Sequence, residues 1–165
     1  MTSWRRINLL LAAYVALLAA VWFWPAGDDA PLPPLTDIDV AAVSTIRVER
    51  GNRLVMAFER QGSTWNMSYP HTSPAVAQRV TRLLAIAQAP VWQHLPADAT
   101  AQRFGLAAPT TTVQFDTTRI GFGDHEPSQR ARYVAVDDAI AVIDDLYFNL
   151  TMLPPAHYLP TEPGR

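Results

Sequence analysis

Hydrophobic positions are distributed along this 165-residue chain in two ways. From Ile7 to Trp24, INLLLAAYVALLAAVWFW, they are nearly continuous, with no charged side chain and no polar face. From Thr45 onward they come in short alternating runs and one helical stripe. At 1.5 Å per residue the first stretch would span roughly 27 Å, against a bilayer core of about 30 Å, and this predicts a transmembrane helix over 7–24. A helix in water needs a polar face, whereas a helix in lipid needs only closed backbone bonds. Arg5 and Arg6 precede the stretch, Asp28 and Asp29 follow it, and the next basic residue is Arg47. That asymmetry predicts a cytoplasmic N-terminus and an extracytoplasmic remainder. Trp22 and Trp24 suit the outer interface, and Pro25 ends the helix. The rival reading is a cleaved secretory signal, but its apolar core is normally about 7–15 residues. Cutting after Ala26 or Gly27 would also leave Trp24 or Pro25 at the −3 position, where a small residue belongs. Ala12, Ala16 and Ala20 share one face and Tyr14 adds a hydroxyl, a pattern that admits a close helix partner. An alanine-rich composition also produces such a ridge by itself.

Residues 25–36 read as a proline-rich tether, with PAGDDAPLPP biased to extended conformations. Residues 1–6 form the cytoplasmic end, 37–153 one domain and 154–165 a loose tail. Within the domain, Thr45 to Arg50 and Arg53 to Arg60 alternate around Gly51-Asn52, a hairpin with a primed turn. Ser63 to Tyr69 makes a third strand with Trp65 and Met67 inward. Ser73-Pro74 opens a helix whose stripe is Val76, Val80, Leu83, Leu84 and Ala87, and Pro90 ends it. Ala97 to Phe104 is a short helix with Gly105 as its left-handed cap. Thr110 to Asp116, Arg119 to Phe122, Arg132 to Val136 and Ile140 to Ile143 are strands, the last two joined at Asp137-Asp138. Leu146 to Met152 is a final short helix. The order hints at two similar halves. The expected fold class is α+β: a single transmembrane helix, then an antiparallel-sheet domain with helices packed on one face.

Composition removes several chemistries. All thirteen basic residues are Arg. Without Lys there is no GxxxxGK[ST] phosphate loop, no Schiff base and no Ser-x-x-Lys nucleophile. Without Cys there is no thiol catalysis, thiolate metal site, disulfide or lipoprotein acylation. A net charge of −2 leaves no nucleic-acid footprint.

The remaining candidates for chemistry are few. Asp124-His125-Glu126 is the densest polar cluster, yet adjacent residues on a strand point to opposite faces, and a solvated turn explains it. His71, His94 and His157 stand apart, with no HExxH or H-x-H spacing. Asp137-Asp138 and Asp144-Asp145 are paired acids, for which a turn and a helix cap are the plain roles; glycosidase chemistry needs carboxylates about 5–10 Å apart across a cleft. Arg79, Arg82 and Arg103 form either a basic patch or a solvated helix face. Trp92 and Tyr147 are the aromatics expected at any glycan groove. No catalytic, cofactor or metal residue is assigned.

An ordered set of residues carries a resemblance. Trp65-Asn66-Met67 and Pro70 are followed by the helix with Leu83-Leu84, then Phe104-Gly105-Leu106 with Pro109, Phe122-Gly123-Asp124 and Arg132-Tyr133-Val134. With Ile46-Arg47-Val48 upstream and the N-terminal apolar segment, this resembles the bacterial family catalogued as "domain of unknown function 4340", over roughly Asp37 to Leu153. The family often has Ala-Asp at the helix start, where this chain has Ala75-Val76, and many members are longer. The resemblance implies a membrane-anchored extracytoplasmic protein without established activity. Many members are similar to proteins found beside ABC-2-type export or gliding-associated transporter components. The expected function is therefore a non-enzymatic, single-pass inner-membrane protein with a periplasmic protein-interaction domain and a membrane-protein partner, an accessory to a transporter or envelope complex. The alternatives are an envelope glycan- or lipid-binding module and a periplasmic hydrolase.

Overall fold

The structure is a computed structural model and describes residues 2–22, 31–96, 99–127 and 130–161. The chain divides into two compact units, Met1–Pro31 and Leu32–Arg165. The first holds one helix, α1 (Thr2–Trp22), and every α1 side chain that is described is exposed, including Leu11, Val15, Leu17 and Leu18. Ala12, Tyr14, Ala16 and Ala20 are among them.

Among the described residues no helix is long and apolar enough to cross a membrane. This overturns the transmembrane anchor expected at 7–24. The signal anchor, the single-pass topology, the one-span membrane contact and the inner-membrane placement with a periplasmic domain go with it. α1 begins with TSWRRIN, which includes two arginines and several polar residues. Its apolar part runs only from Leu9 to Trp22, roughly 21 Å at 1.5 Å per residue against the about 30 Å of a hydrocarbon core. Phe23 and Trp24, with the first half of the expected tether (25–30), lie outside the described residues.

The second unit is a nine-stranded sheet. Its strands are β1 (Thr45–Arg50), β2 (Arg53–Gln61), β3 (Thr64–Tyr69), β4 (Ser73–Pro74), β5 (Gln93–His94), β6 (Thr111–Phe115), β7 (Thr118–Glu126), β8 (Ala131–Val136) and β9 (Ala139–Asp144). The order is β4-β3-β2-β1-β6-β7-β8-β9-β5, and every pairing is antiparallel. Among the described residues of this unit the other regular elements are α2 (Ala77–Leu84), α3 (Leu146–Met152) and 3-10 turns at Ala85–Gln88, Ala101–Phe104 and Pro155–Tyr158. The expected α+β class with a membrane helix is thus corrected to a mostly antiparallel sheet domain with few helices. Two meanders, β1 to β4 and β6 to β9, run outward from the central β1–β6 pair, and each leads to a short α-helix. Both sheet edges are two-residue strands, one containing Pro74, which leaves little unpaired backbone for aggregation.

Alternation decides which face is buried. Ile46, Val48, Met56, Phe58, Met67, Val113, Phe115, Ile120, Phe122 and Val134 face one side and pack under α2 through Val80, Leu83 and Leu84. The expected hairpin at Gly51-Asn52 forms, with φ 53° and 61°, as a primed turn requires. Asp137-Asp138 likewise joins β8 to β9.

Other expectations fail for identifiable reasons. Ser73-Pro74 does not start α2; it pairs with Asn66 and Met67. The N–H groups of Ala75 and Val76 then bond to the carbonyls of Trp65 and Tyr158, which holds the chain extended until Ala77. Of the helix expected at Ala97 to Phe104, the first two residues lie outside the described residues and the rest forms only a 3-10 turn at Ala101–Phe104, although Gly105 does cap it in the left-handed region at φ 69°. The last residues assigned to the tether are pinned: Leu35 is buried, its N–H bonds to the Ala89 carbonyl at 2.9 Å, and the Thr36 N–H and hydroxyl both bond to the Ala87 carbonyl. The loose tail is also corrected. Tyr158 is fully buried, its ring 5.1 Å from that of Phe58 and edge-on to it, and its hydroxyl donates to the Leu150 carbonyl at 3.0 Å.

Candidate functional site

The residues able to do chemistry are dispersed. Asp116 ends β6 with φ 48°, and its carboxylate accepts from the Ser44 hydroxyl at 2.8 Å, the Thr45 hydroxyl at 3.0 Å and both backbone N–H groups. Burial pushes this carboxyl up, but the hydrogen bonds from Ser44 and Thr45 together outweigh it and hold it below the ordinary carboxylate value. A carboxylate so engaged ties β6 to β1. Asp124, His125 and Glu126 lie on the end of β7 rather than in a turn, and the first two are exposed. Asp124 sits against Gly105, where a Cβ would come within 2.5 Å of its carboxylate. Asp137 occupies the β8–β9 turn at φ 50°. Among the described residues no group of three His or acidic side chains is placed to hold a metal ion. Asp116, Asp124 with His125, and Asp137 lie on three separate segments: after β6, on β7 and in the β8–β9 turn.

The paired acids before α3 divide their work. Asp144 Oδ1 accepts the Leu146 N–H at 2.7 Å in a local turn ahead of the helix, while Asp145, the N-cap residue, makes no side-chain capping bond. Asp145 accepts from Arg132 Nε at 2.6 Å. Arg132 also donates to the Gly123 carbonyl at 2.7 Å, and its guanidinium lies 3.7 Å from the Phe148 ring centroid. One side chain therefore joins β7, β8 and α3. Arg50 donates to the carbonyls of Thr151 and Leu153 at the far end of α3. Arg79 donates to those of His157 and Leu159 at 2.6 and 2.9 Å. Arg79 is therefore engaged and forms no basic patch with Arg82 and Arg103. Arg132 and Arg50 clamp the segment from Asp145 to Leu153 onto the sheet, and Arg79 ties His157 and Leu159 to α2. None of these roles was visible in the sequence, where an isolated Arg carries no sign of the carbonyl it will meet.

α3 is held on one side and bare on the other. Thr151 is buried and Phe148 is half-buried, 5.8 Å from the Phe122 ring. Leu146 is 61% exposed and Met152 46% exposed, with exposed Asn149 between them at three-residue spacing. Tyr147 is half-buried beside them, and its phenol is pushed up by burial and then by the Asp144 charge. Trp92 is 38% exposed next to the edge strand β5.

Of the residues that carried the family resemblance, Trp65, Met67, Leu83, Leu84, Phe122 and Val134 lie in the core, and a smaller group meets on the opposite face of the sheet. The Phe104 ring lies 4.5 Å from that of Tyr133, and Leu106 and Pro109 cover Gly123 and Gly121. A Cβ on Gly123 would collide with the Phe104 carbonyl, so glycine is what lets the loop close over the strand. These are packing roles. No protein-family model, curated protein or solved structure matches the chain.

Proposed function

We propose that the domain is a non-catalytic protein-interaction module, an accessory part of a larger complex, with α3 as its contact surface. The observation that supports this is the exposure of both Leu146 and Met152 on a helix that Arg132 and Arg50 hold at its two ends. Large apolar side chains grouped on a rigid element are what a partner buries, and a fixed helix loses little entropy on docking. Asn149 between them supplies one hydrogen-bonding group that sets the register. The occupant is a protein surface with aliphatic side chains opposite Leu146 and Met152 and a polar group opposite Asn149.

A photo-crosslinking residue placed at 146 or at 152 should yield the same single adduct in cells, while one placed at Glu59 or Arg130 should not. The double change Leu146→Ser, Met152→Ser should lower recovery of that adduct's partner at least tenfold without lowering the melting temperature. Equal labelling from all four positions, or full recovery with the double variant, would sink the proposal.

A further inference from the structure

On the face of the sheet away from the core, one cross-strand row runs Tyr69, Ala57, Arg47, Gln114 and Arg119 across β3, β2, β1, β6 and β7. The next row holds Asn66, Glu59 and Thr45. Neighbouring strands are about 4.8 Å apart, so an alanine between a tyrosine and an arginine leaves a trough roughly 10 Å wide. The structure shows a cavity of about 310 Å³ there, with Ala57 as floor and Tyr69, Arg47, Glu59, Thr45 and Ser68 around it. Register shifts flank it on both sides, at Val48/Glu49 and at Ala57/Phe58. Such irregularities re-aim side chains and accompany functional sites.

The walls are chemically mixed. Tyr69 is 43% exposed and offers a ring face. Arg47 and Glu59 are exposed, and among the described residues neither takes part in an ion pair or a side-chain hydrogen bond. The Thr45 hydroxyl donates to Asp116 and keeps its lone pairs for an incoming donor. One fixed positive and one fixed negative charge give the trough no net charge, which disfavours phosphate or a polyanion. A donor fork, an acceptor carboxylate, hydroxyls and an aromatic face over an apolar floor match a molecule with hydroxyl edges and a C–H face. We propose that this trough binds a neutral saccharide, with a sugar ring stacked on Tyr69 and its hydroxyls shared between Arg47 and Glu59. The volume lies at the small end of ligand sites and suits one or two sugar rings. The site lies on the far side of the sheet from the core-packed α3 and stands independently of the protein-contact reading.

The test is calorimetric titration of the full chain with cellohexaose, chitohexaose and maltohexaose, and with an oligogalacturonate as the anionic comparison. At least one neutral hexasaccharide should bind saturably. Tyr69→Ala should weaken that binding at least tenfold and Tyr69→Phe by less than twofold, because stacking needs the ring and not the hydroxyl. Arg47→Met and Glu59→Gln should each weaken it about fivefold. These two exposed residues keep the test decisive if Tyr69→Ala fails to fold. Absence of binding to every neutral sugar, binding of the anionic oligomer alone, or affinity unchanged by all the trough substitutions would overturn the proposal.

Discussion

Asp116 and Tyr158 show at single residues how this fold is tied together. Asp116 is the acceptor for Ser44 and Thr45, and its carboxyl is held below its ordinary value. A lowered folded-state value means that the ionised form stabilises the fold above the ordinary value of 3.8 and that this contribution is lost as pH falls through the folded value. Asp116→Asn tolerates the positive φ and keeps one acceptor oxygen, so it should cost about 1 kcal/mol and flatten the acid limb of a pH–stability curve measured by urea denaturation. Tyr158 carries the opposite signature. Burial pushes its phenol up to about 12, against a smaller opposing pull from Arg50. Its contribution is complete below pH 10 and is lost as pH rises toward about 12. Tyr158→Phe, which removes the bond to Leu150, should cost about 1 kcal/mol and soften the alkaline fall in stability; Tyr158→Ala should cost about 3–5 kcal/mol. Neither residue drew attention in the sequence as a structural tie, because an Asp at a strand end and a Tyr among prolines look like loop chemistry until their partners are known.

At the scale of elements, local chemistry was read well where it acts locally. Gly51-Asn52 made the β1–β2 hairpin legible, and alternation grouped Ile46 with Val48 and Leu54 with Met56 and Phe58, but a register shift takes Leu54 out of the core set. β7 runs beyond the expected Arg119 to Phe122, because glycine, which normally punctuates a strand, does not end this one. Here Gly121 and Gly123 continue the strand and make room for Pro109 and Leu106. Gly123→Ala should therefore cost about 1–3 kcal/mol by forcing the Phe104 loop away, whereas Gly62→Ala, with nothing near its Cβ but φ +62°, should cost only about 1 kcal/mol. Thermal denaturation of the two variants separates close approach from backbone strain. The clamp on α3 has a parallel test. Arg132→Met leaves Asp145 without its partner and the Gly123 carbonyl without a donor, and should cost about 3 kcal/mol. Hydrogen exchange should accelerate first in α3, and equal protection there would refute the clamp.

Across the whole molecule the core belongs to Leu32–Arg165 and includes its own N-terminal residues. A chain beginning at Leu32 should melt within a few degrees of the full chain. One beginning at Asp37 loses the bonds of Leu35 and Thr36 to Ala89 and Ala87, the pairing of Pro33 with Val91 and the buried Leu35 side chain. It should be less stable by about 3–5 kcal/mol. Equal stability of the two truncations would show that residues 32–36 are not part of the fold.

Sequence by itself determined the inward positions of Trp65 and Met67, the turns at Gly51-Asn52 and Asp137-Asp138, the short helix at Leu146 to Met152, and the chemistries excluded by the absence of Lys and Cys. Those features depend on side-chain periodicity, on φ preferences and on which functional groups exist. Tertiary structure alone decided the β1–β6 pairing at the centre of the sheet, the arginine clamps, the burial of Leu35 and Tyr158, and the trough beside Ala57. Each of these joins residues far apart in the chain, and local pattern carries no information about such partners. The apolar run at the N-terminus marks the boundary between the two kinds of knowledge. Its hydrophobicity was plain in the sequence, but the bounds of α1, with two arginines in its opening turns, emerged only with the structure.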